Sequence, residues 1–189
     1  MSDDVRQNCE GVNRRTAGTL ALGLAVAGVA APAAARVHPA LLATDRLAIE
    51  DLFAAYVWSY DCSDLGEFLS LFTDDAVVVG RGRVFRGHDG LAQWFHYLLE
   101  MRDKEGDDTW MHEAGQFRFR SSPSSIVVFA YATHFSGSTT KATRGVRSLG
   151  YFACECVRES SRWKFRRFSI NAWDKTTLPW KKPLPWSEI

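Results

Sequence analysis

The chain has only four cysteines in 189 residues: Cys9, Cys62, Cys154 and Cys156. Cys9 lies in an N-terminal segment that reads as removable. The three thiols left are an odd number, which excludes a complete disulfide framework. Cys154 and Cys156 stand two apart in a strand-like stretch, share a face and read as small core fillers. No His/Cys set recurs at ligand spacing, so a zinc site has no support. An excess of either charge is missing too. Lys and Arg number 23 against 22 Asp and Glu, a formal net charge of +1, which gives no electrostatic case for nucleic acid or an anionic membrane surface. There is no internal repeat.

What is present is an ordinary globular composition, 46% hydrophobic and 24% charged. The length favours one domain with enough chain to bury a core. Seven Trp and twelve Phe are a heavy aromatic load. They call for a large sheet-lined core or an apolar ligand cavity, and composition does not choose between them.

Residues 1–35 read as a segment outside the fold. Asn13-Arg14-Arg15-Thr16 precedes an uncharged run, Ala17 to Ala34, that ends in Ala33-Ala34-Ala35, a small-x-small cleavage pattern. Paired arginines before a mildly hydrophobic run resemble a twin-arginine export signal. No Phe-Leu-Lys follows them, and Asp3, Asp4 and Glu10 dilute the basic region. An uncleaved anchor is the competing reading, but the Gly/Ala-rich run is borderline in length for a span. The expectation is cleavage after Ala35, an exported periplasmic or secreted protein, and no stable membrane insertion once the signal is gone.

Residues 36–178 read as the folded domain and 179–189 as a Pro/Trp-rich tail over the surface or a pocket mouth. Thr44 is a good N-cap with Asp45 in the first turn. Leu47, Ala48, Leu52, Ala55, Tyr56 and Ser59 recur near helical spacing, which predicts a helix over about Thr44 to Asp61. Ser63 or Asp64 caps a short helix over about Leu65 to Phe72. Thr73-Asp74-Asp75 reads as a turn, Ala76 to Val79 as a strand, and Gly80 to Arg83 as a hairpin turn into Val84-Phe85. A third helix is predicted over about Asp89 to Arg102, followed by an acidic loop, Asp103 to Asp108. Four longer strands then follow, at about Trp110 to Arg120, Ser125 to Ser136, Arg147 to Glu159 and Trp163 to Trp173. Ser121 to Ser124 and Glu159 to Arg162 are tight links, and Gly137 to Gly145 is a polar loop read as a mobile rim. Helices on one face of a curved antiparallel sheet make an α+β domain, a cone with a closed core end and an open pocket.

This order, with Tyr60-Asp61-x-x-Asp64 at the end of helix 1 and Leu71-Phe72-Thr73-Asp74-Asp75-Ala76-Val77-Val78, resembles the nuclear transport factor 2-like superfamily, specifically its SnoaL-like members. The resemblance covers about Leu41 to Trp173. In motif it is nearest to scytalone dehydratase and related dehydratases, where a Tyr-Asp pair ending helix 1 and a His on the first long strand line the pocket. Tyr56 to Asp64 looks like the first motif and places the pair at Tyr60 and Asp61. Thr109-Trp110-Met111-His112 looks like the second and places the His at His112. Tyr131-Ala132-Thr133-His134 offers His134 for the second pocket His. Arg162-Trp163-Lys164-Phe165 matches the last, structural strand. One pocket tyrosine of those enzymes has no counterpart in Ala76 to Val79, and a Ser/Asn pair is replaced by Phe152 to Cys154. The resemblance implies a cone-shaped fold, a small-molecule substrate and a homodimer or homotrimer.

A carboxylate and an imidazole facing each other across an apolar pocket can do general acid–base chemistry, the carboxylate orienting the ring. Tyr56 and Tyr60 can polarise a carbonyl oxygen as donors. The same parts serve elimination of water, allylic isomerisation or cyclisation, and ask for no metal or cofactor. The structural alternatives are that Asp61 is a turn carboxylate and that His112 and His134 are satisfied core histidines. A carboxylate near a helix C-terminus is electrostatically disfavoured, which favours a functional reason for Asp61. Trp58, Trp94, Trp110 and Phe129 read as core or pocket wall. Asp64, His88, Asp89 and His96 read as caps or surface, and Arg166-Arg167 as a solvated strand end. No Arg stands between carboxylates as an epoxide hydrolase of the related type would need. Two function classes remain: a cofactor-independent dehydratase or ketosteroid isomerase-like enzyme acting on a cyclic, partly apolar hydroxylated or carbonyl compound of polyketide, steroid or terpenoid type, and a non-catalytic binding or assembly module of the same fold.

Overall fold

The computed structural model describes residues 41–106, 108–122, 124–173 and 178–189. The export-signal reading and its cleavage site fall outside them. Among the described residues, three α-helices and six strands follow in the order α1 (Ala43–Asp61), α2 (Leu65–Ser70), β1 (Phe72–Gly80), β2 (Arg83–Arg86), α3 (Gly87–Glu105), β3 (Thr109–Ser121), β4 (Ile126–Ser138), β5 (Thr143–Glu159) and β6 (Arg162–Ala172), with a 3₁₀ turn at Pro179–Lys181. The strands form one mixed sheet in the order β2-β1-β6-β5-β4-β3. β3 to β6 are the antiparallel meander expected, and β1 runs parallel to β6. The sheet curves without closing, in the α+β arrangement expected.

α1 buries Ile49, Leu52, Phe53, Tyr56, Val57 and Tyr60, an i, i+3/i+4 stripe against the inner face of the sheet. The stripe is rotated from the one predicted: Leu47 is exposed, and the N-cap is Leu42, without the Thr44 side-chain cap. Asp45 is in the first turn, where its Oδ1 accepts from Trp163 Nε1 at 3.2 Å. Asp64 caps α2 by accepting from Glu67 N at 2.9 Å. The closed end of the cone is an aromatic cluster in which Tyr56 meets Phe168 at 4.5 Å and Phe152 at 5.6 Å between ring centroids. Phe53, Phe68, Phe72 and Phe165 complete it, each fully buried. Burying each ring is worth about 1.5–3 kcal/mol.

Four irregularities bend the sheet round this cluster, between Phe72 and Val77, Gly115 and Arg118, His134 and Phe135, and Glu155 and Cys156. The first absorbs the turn expected at Thr73 to Asp75 into β1. The extra residue of the second, Gln116 at φ 53°, leaves Phe117 packed on the core as Ala114 is. Helix α3 runs three residues further than predicted and stops at Gly106, whose φ of 71° suits glycine, so the first three residues of the acidic loop are helix. The rim read as mobile is mostly ladder: Ser138 pairs with Thr143, leaving only residues 139–142 as the turn.

The outer face of the sheet has its own cluster, Val127, Phe129, Tyr151 and Ala153, covered by Trp180, Leu184 and Trp186. The tail therefore lies over the sheet and not over the pocket. Phe129 belongs to this outer layer, 6.4 Å from Trp180, because alternate strand residues point to opposite faces and Val128 and Ala130 take the inner one. Cys154 and Cys156 are buried and free on the inner face, and Cys62 is free and exposed.

Candidate active site

At the open end of the cone a cavity of about 370 Å³ is lined by α1, α3 and β3 to β6. Its chemistry starts from two adjacent residues at the end of α1. Tyr60 and Asp61 lie about 100° apart round the helix, so one turns into the core while the other reaches sideways to β3. Tyr60 is buried, and its hydroxyl donates to Leu98 O on α3 at 3.4 Å. Asp61 Oδ2 accepts from the backbone N–H of His112 at 2.8 Å, and Oδ1 lies 2.6 Å from His112 Nδ1. One carboxylate thus holds both the strand and the ring, with side-chain exposures of 14% for Asp61 and 21% for His112.

That geometry assigns the tautomer. An ionised carboxylate only accepts, so the neutral ring places its proton on Nδ1 and keeps its lone pair on Nε2. The ring plane is fixed from both sides. His134 stacks on it at 4.4 Å and 12°, and Tyr60 meets it edge-on at 4.8 Å. The stack follows from register, since His112 and His134 are directly paired across β3 and β4.

Tyr56, Tyr60, His112, His134 and Trp94 all line the cavity. Burial pushes the Tyr56 hydroxyl well up from its ordinary range, reinforced by Tyr60 and Cys154 and partly opposed by the Trp94 indole N–H. Tyr56 therefore stays a protonated donor at the closed end of the pocket. Trp94 is 1% exposed, and its Nε1 meets no acceptor at full hydrogen-bond geometry among the described residues.

Three residues expected on the wall stand elsewhere. Trp58 is 69% exposed, because it sits two residues from both Tyr56 and Tyr60 and faces away from their stripe. Phe129 lies on the outer face. Trp110 stands behind Asp61 and braces it: its Nε1 donates to Asp61 O at 3.2 Å, and the Arg102 guanidinium lies 3.9 Å from its ring centroid.

Sequence reasoning missed Arg81, Leu98, Met101, Arg102, Ser148 and Asn171 on the wall. Leu98 and Met101 continue the Trp94 stripe at helical spacing, a signal that could have found them. Asn171 has its amide committed, donating to Ser169 Oγ at 2.8 Å and Tyr151 O at 3.4 Å. Among the described residues no three His, Cys, Asp or Glu gather as a metal cluster, and no helix is long and apolar enough to cross a membrane.

Comparison with known proteins agrees with this architecture. The family model for the SnoaL-like domain matches residues 42–169. No curated protein matches. Among solved structures, a candidate scytalone dehydratase from Novosphingobium aromaticivorans superposes with a TM-score of 0.56 at 18% identity, covering 69% of this chain and 85% of that one. Hexachlorocyclohexane dehydrochlorinase LinA-type3 from Novosphingobium barchaimii gives 0.57 at 18% identity, over 75% and 95%. A cystatin-like-fold protein of unknown function from Nostoc punctiforme gives 0.60 at 19%, over 74% and 98%. At these identities the likeness is one of fold.

Proposed function

The chain belongs to the SnoaL-like family, and on that premise we propose that it is a cofactor-independent lyase or isomerase, of dehydratase type, acting on a cyclic, partly apolar hydroxylated or carbonyl compound. The observation that carries this reading is the 2.6 Å contact between Asp61 and His112 at the wall of the cavity. A histidine serving only the fold would not need a half-buried carboxylate spent on a ring that faces a cavity.

In this mechanism His112 Nε2 removes a proton alpha to a carbonyl. Asp61 holds the other ring nitrogen and offsets the charge that develops on the imidazolium. Tyr56 donates to the carbonyl oxygen, where negative charge accumulates in the enolate-like transition state, and Tyr60 joins it when its hydroxyl turns away from Leu98 O. Return of the proton to a leaving hydroxyl completes dehydration, and its return to a different carbon completes isomerisation. His134 holds the His112 ring in plane by stacking and is a second proton carrier within reach of the same substrate. Nonpolar walls at Trp94, Leu98 and Phe152 exclude water and take the ring system.

The test is a screen of hydroxylated cyclic ketones and terpenoid or steroid alcohols with wild type, His112→Ala and Asp61→Asn. A positioned general base contributes about 10²–10⁴-fold, so both variants should lose turnover on that scale. Equal turnover by all three refutes the assignment. Turnover by none of them with saturable binding by all supports the binding-module alternative. The same reading makes residues 1–35 an export signal, contradicted if secreted material begins at Met1. It also makes the working form a homodimer or homotrimer, contradicted by a monomer in light scattering.

A further inference from the structure

The titratable side chains that line the cavity, among the described residues, are Tyr56, Tyr60, Arg81, Arg102, His112 and His134. No carboxylate joins them. Asp61 is the acidic group closest to the chemistry, and both its oxygens are spent on His112. A cavity with two guanidiniums and no counter-charge on its wall does not suit a neutral hydrocarbon alone.

Arg102 is the better placed of the two. It comes from the last turn of α3, one residue after Met101 and four after Leu98, which line the same wall. Its side chain is 12% exposed, and its ion-pair partner among the described residues, Asp103, stands at 3.6 Å with a 73% exposed side chain. Nη1 donates to Ser63 Oγ at 3.1 Å, the Trp110 ring backs the guanidinium plane, and Nε is buried without a hydrogen bond. Nη2 is left with no protein acceptor among the described residues. The exposed Asp103 offsets only part of this charge, and a guanidinium so shielded from water gains from a second anion.

We infer that the substrate carries a carboxylate, held by Arg102 while its ring system meets His112, with the exposed Arg81 adding attraction from the β1–β2 turn. With Nε buried beside Asp103, Nη1 on Ser63 and the Trp110 ring against the guanidinium, Nη2 is the arm left, and a single donor suits a monoanionic carboxylate better than a phosphate, which asks for several. This rests on the proposed acid–base reading for the reaction but not for the binding. It narrows the substrate class from cyclic hydroxy or carbonyl compounds to those with an acid arm.

The experiment is direct binding, by tryptophan fluorescence or calorimetry, of 2-naphthoate and of its neutral isostere 2-naphthamide. Wild type should prefer the acid by about tenfold or more, the scale of one charge-assisted contact, with the preference shrinking as salt rises. Arg102→Gln should bring the ratio to near one, while Arg102→Lys keeps part of it. Arg118→Gln, on the outer face against Trp180, removes the same net charge and should leave the ratio unchanged. Equal affinity of wild type for both probes overturns the proposal, as does failure of both to bind. A preference that survives Arg102→Gln overturns it as well. If Arg102 serves only to brace Trp110, Arg102→Gln lowers thermal stability and weakens both probes alike, which also counts against it. Should Arg102→Gln not fold, the wild-type ratio and the Arg102→Lys variant still decide. No turnover is needed, so the acid–base reading and this one fail separately.

Discussion

Gly80→Ala should damage the cavity from behind. Gly80 closes β1 directly under the Trp94 indole, and an added Cβ there would lie 2.5 Å from Trp94 Cη2 and 3.1 Å from both Cζ2 and Cζ3. Carbon atoms in contact prefer about 3.5–4.0 Å, so one of the two must give by about 1 Å. The indole is 1% exposed, with Phe85 at 5.2 Å and Tyr97 at 5.8 Å between ring centroids, and its open side is the cavity. Overpacking of this kind costs about 1–3 kcal/mol, which in a domain of this size lowers the melting temperature by about 2–12 °C. A circular-dichroism melt reads the loss, and the affinity of an aromatic probe reads the narrowed cavity. Trp94→Phe in the same background removes the obstructing ring, so the double variant should lose less than the two single losses added, by about 0.5 kcal/mol or more. A Gly80→Ala protein within about 0.5 kcal/mol of wild type, with an unchanged probe affinity, would refute the reasoning.

Asp61→Ala should cost about 1.5–3 kcal/mol in urea denaturation, the scale of a hydrogen bond to a charged group, because it strips the acceptor from the His112 backbone N–H; Asp61→Asn, which keeps one acceptor oxygen, should cost less, and equal stabilities would contradict the bracing role. At alkaline pH the protein should weaken. Burial raises the Tyr56 hydroxyl and the Cys154 and Cys156 thiols above their ordinary values. Their contribution is therefore whole below about pH 8.5 and is lost as pH rises through the ordinary thiol and phenol range towards the folded values. The urea midpoint should fall between pH 8 and about 10.5, and a flat midpoint would contradict it. At acidic pH the sign reverses for Glu155. Burial pushes its carboxyl up, but the hydrogen bonds from Arg166 and Ser125 and the charges of Arg166 and Arg167 outweigh that and hold it low. Its stabilisation is present above about pH 4.3 and is lost as pH falls through the depressed value, so Glu155→Gln should flatten the acid limb of the stability curve, and an unchanged limb would count against the pairing.

The sheet was legible because its strands are long and their turn signals local. Register, which decides what faces the pocket, was not. Phe129 carries the same aromatic signature as a wall residue, yet a period of two puts it on the outer face, and a one-residue shift reverses that. Trp58 failed for the helical version of the same reason, since the stripe through Tyr56 and Tyr60 excludes it. The start of β1 hid behind Thr73-Asp74-Asp75, turn-like residues that the irregularity before Val77 accommodates inside the strand. The pairing of Asp61 with His112 could be anticipated from motif, since a disfavoured carboxylate at a helix C-terminus asks for a partner. Arg102 could not be. It is held by Ser63, 39 residues away, and by the Trp110 ring, and no local pattern announces a charge placed by such distant partners.

The central claim is that Asp61 fixes His112 with its proton on Nδ1 and its basic Nε2 towards the cavity. Nitrogen-15 NMR of histidine-labelled protein reads this directly, with His112 assigned by its loss in His112→Gln. In the neutral ring the account predicts a protonated Nδ1 and an unprotonated Nε2, with Asp61→Asn shifting the balance between them. A neutral His112 carrying its proton on Nε2 in the wild-type protein would contradict it.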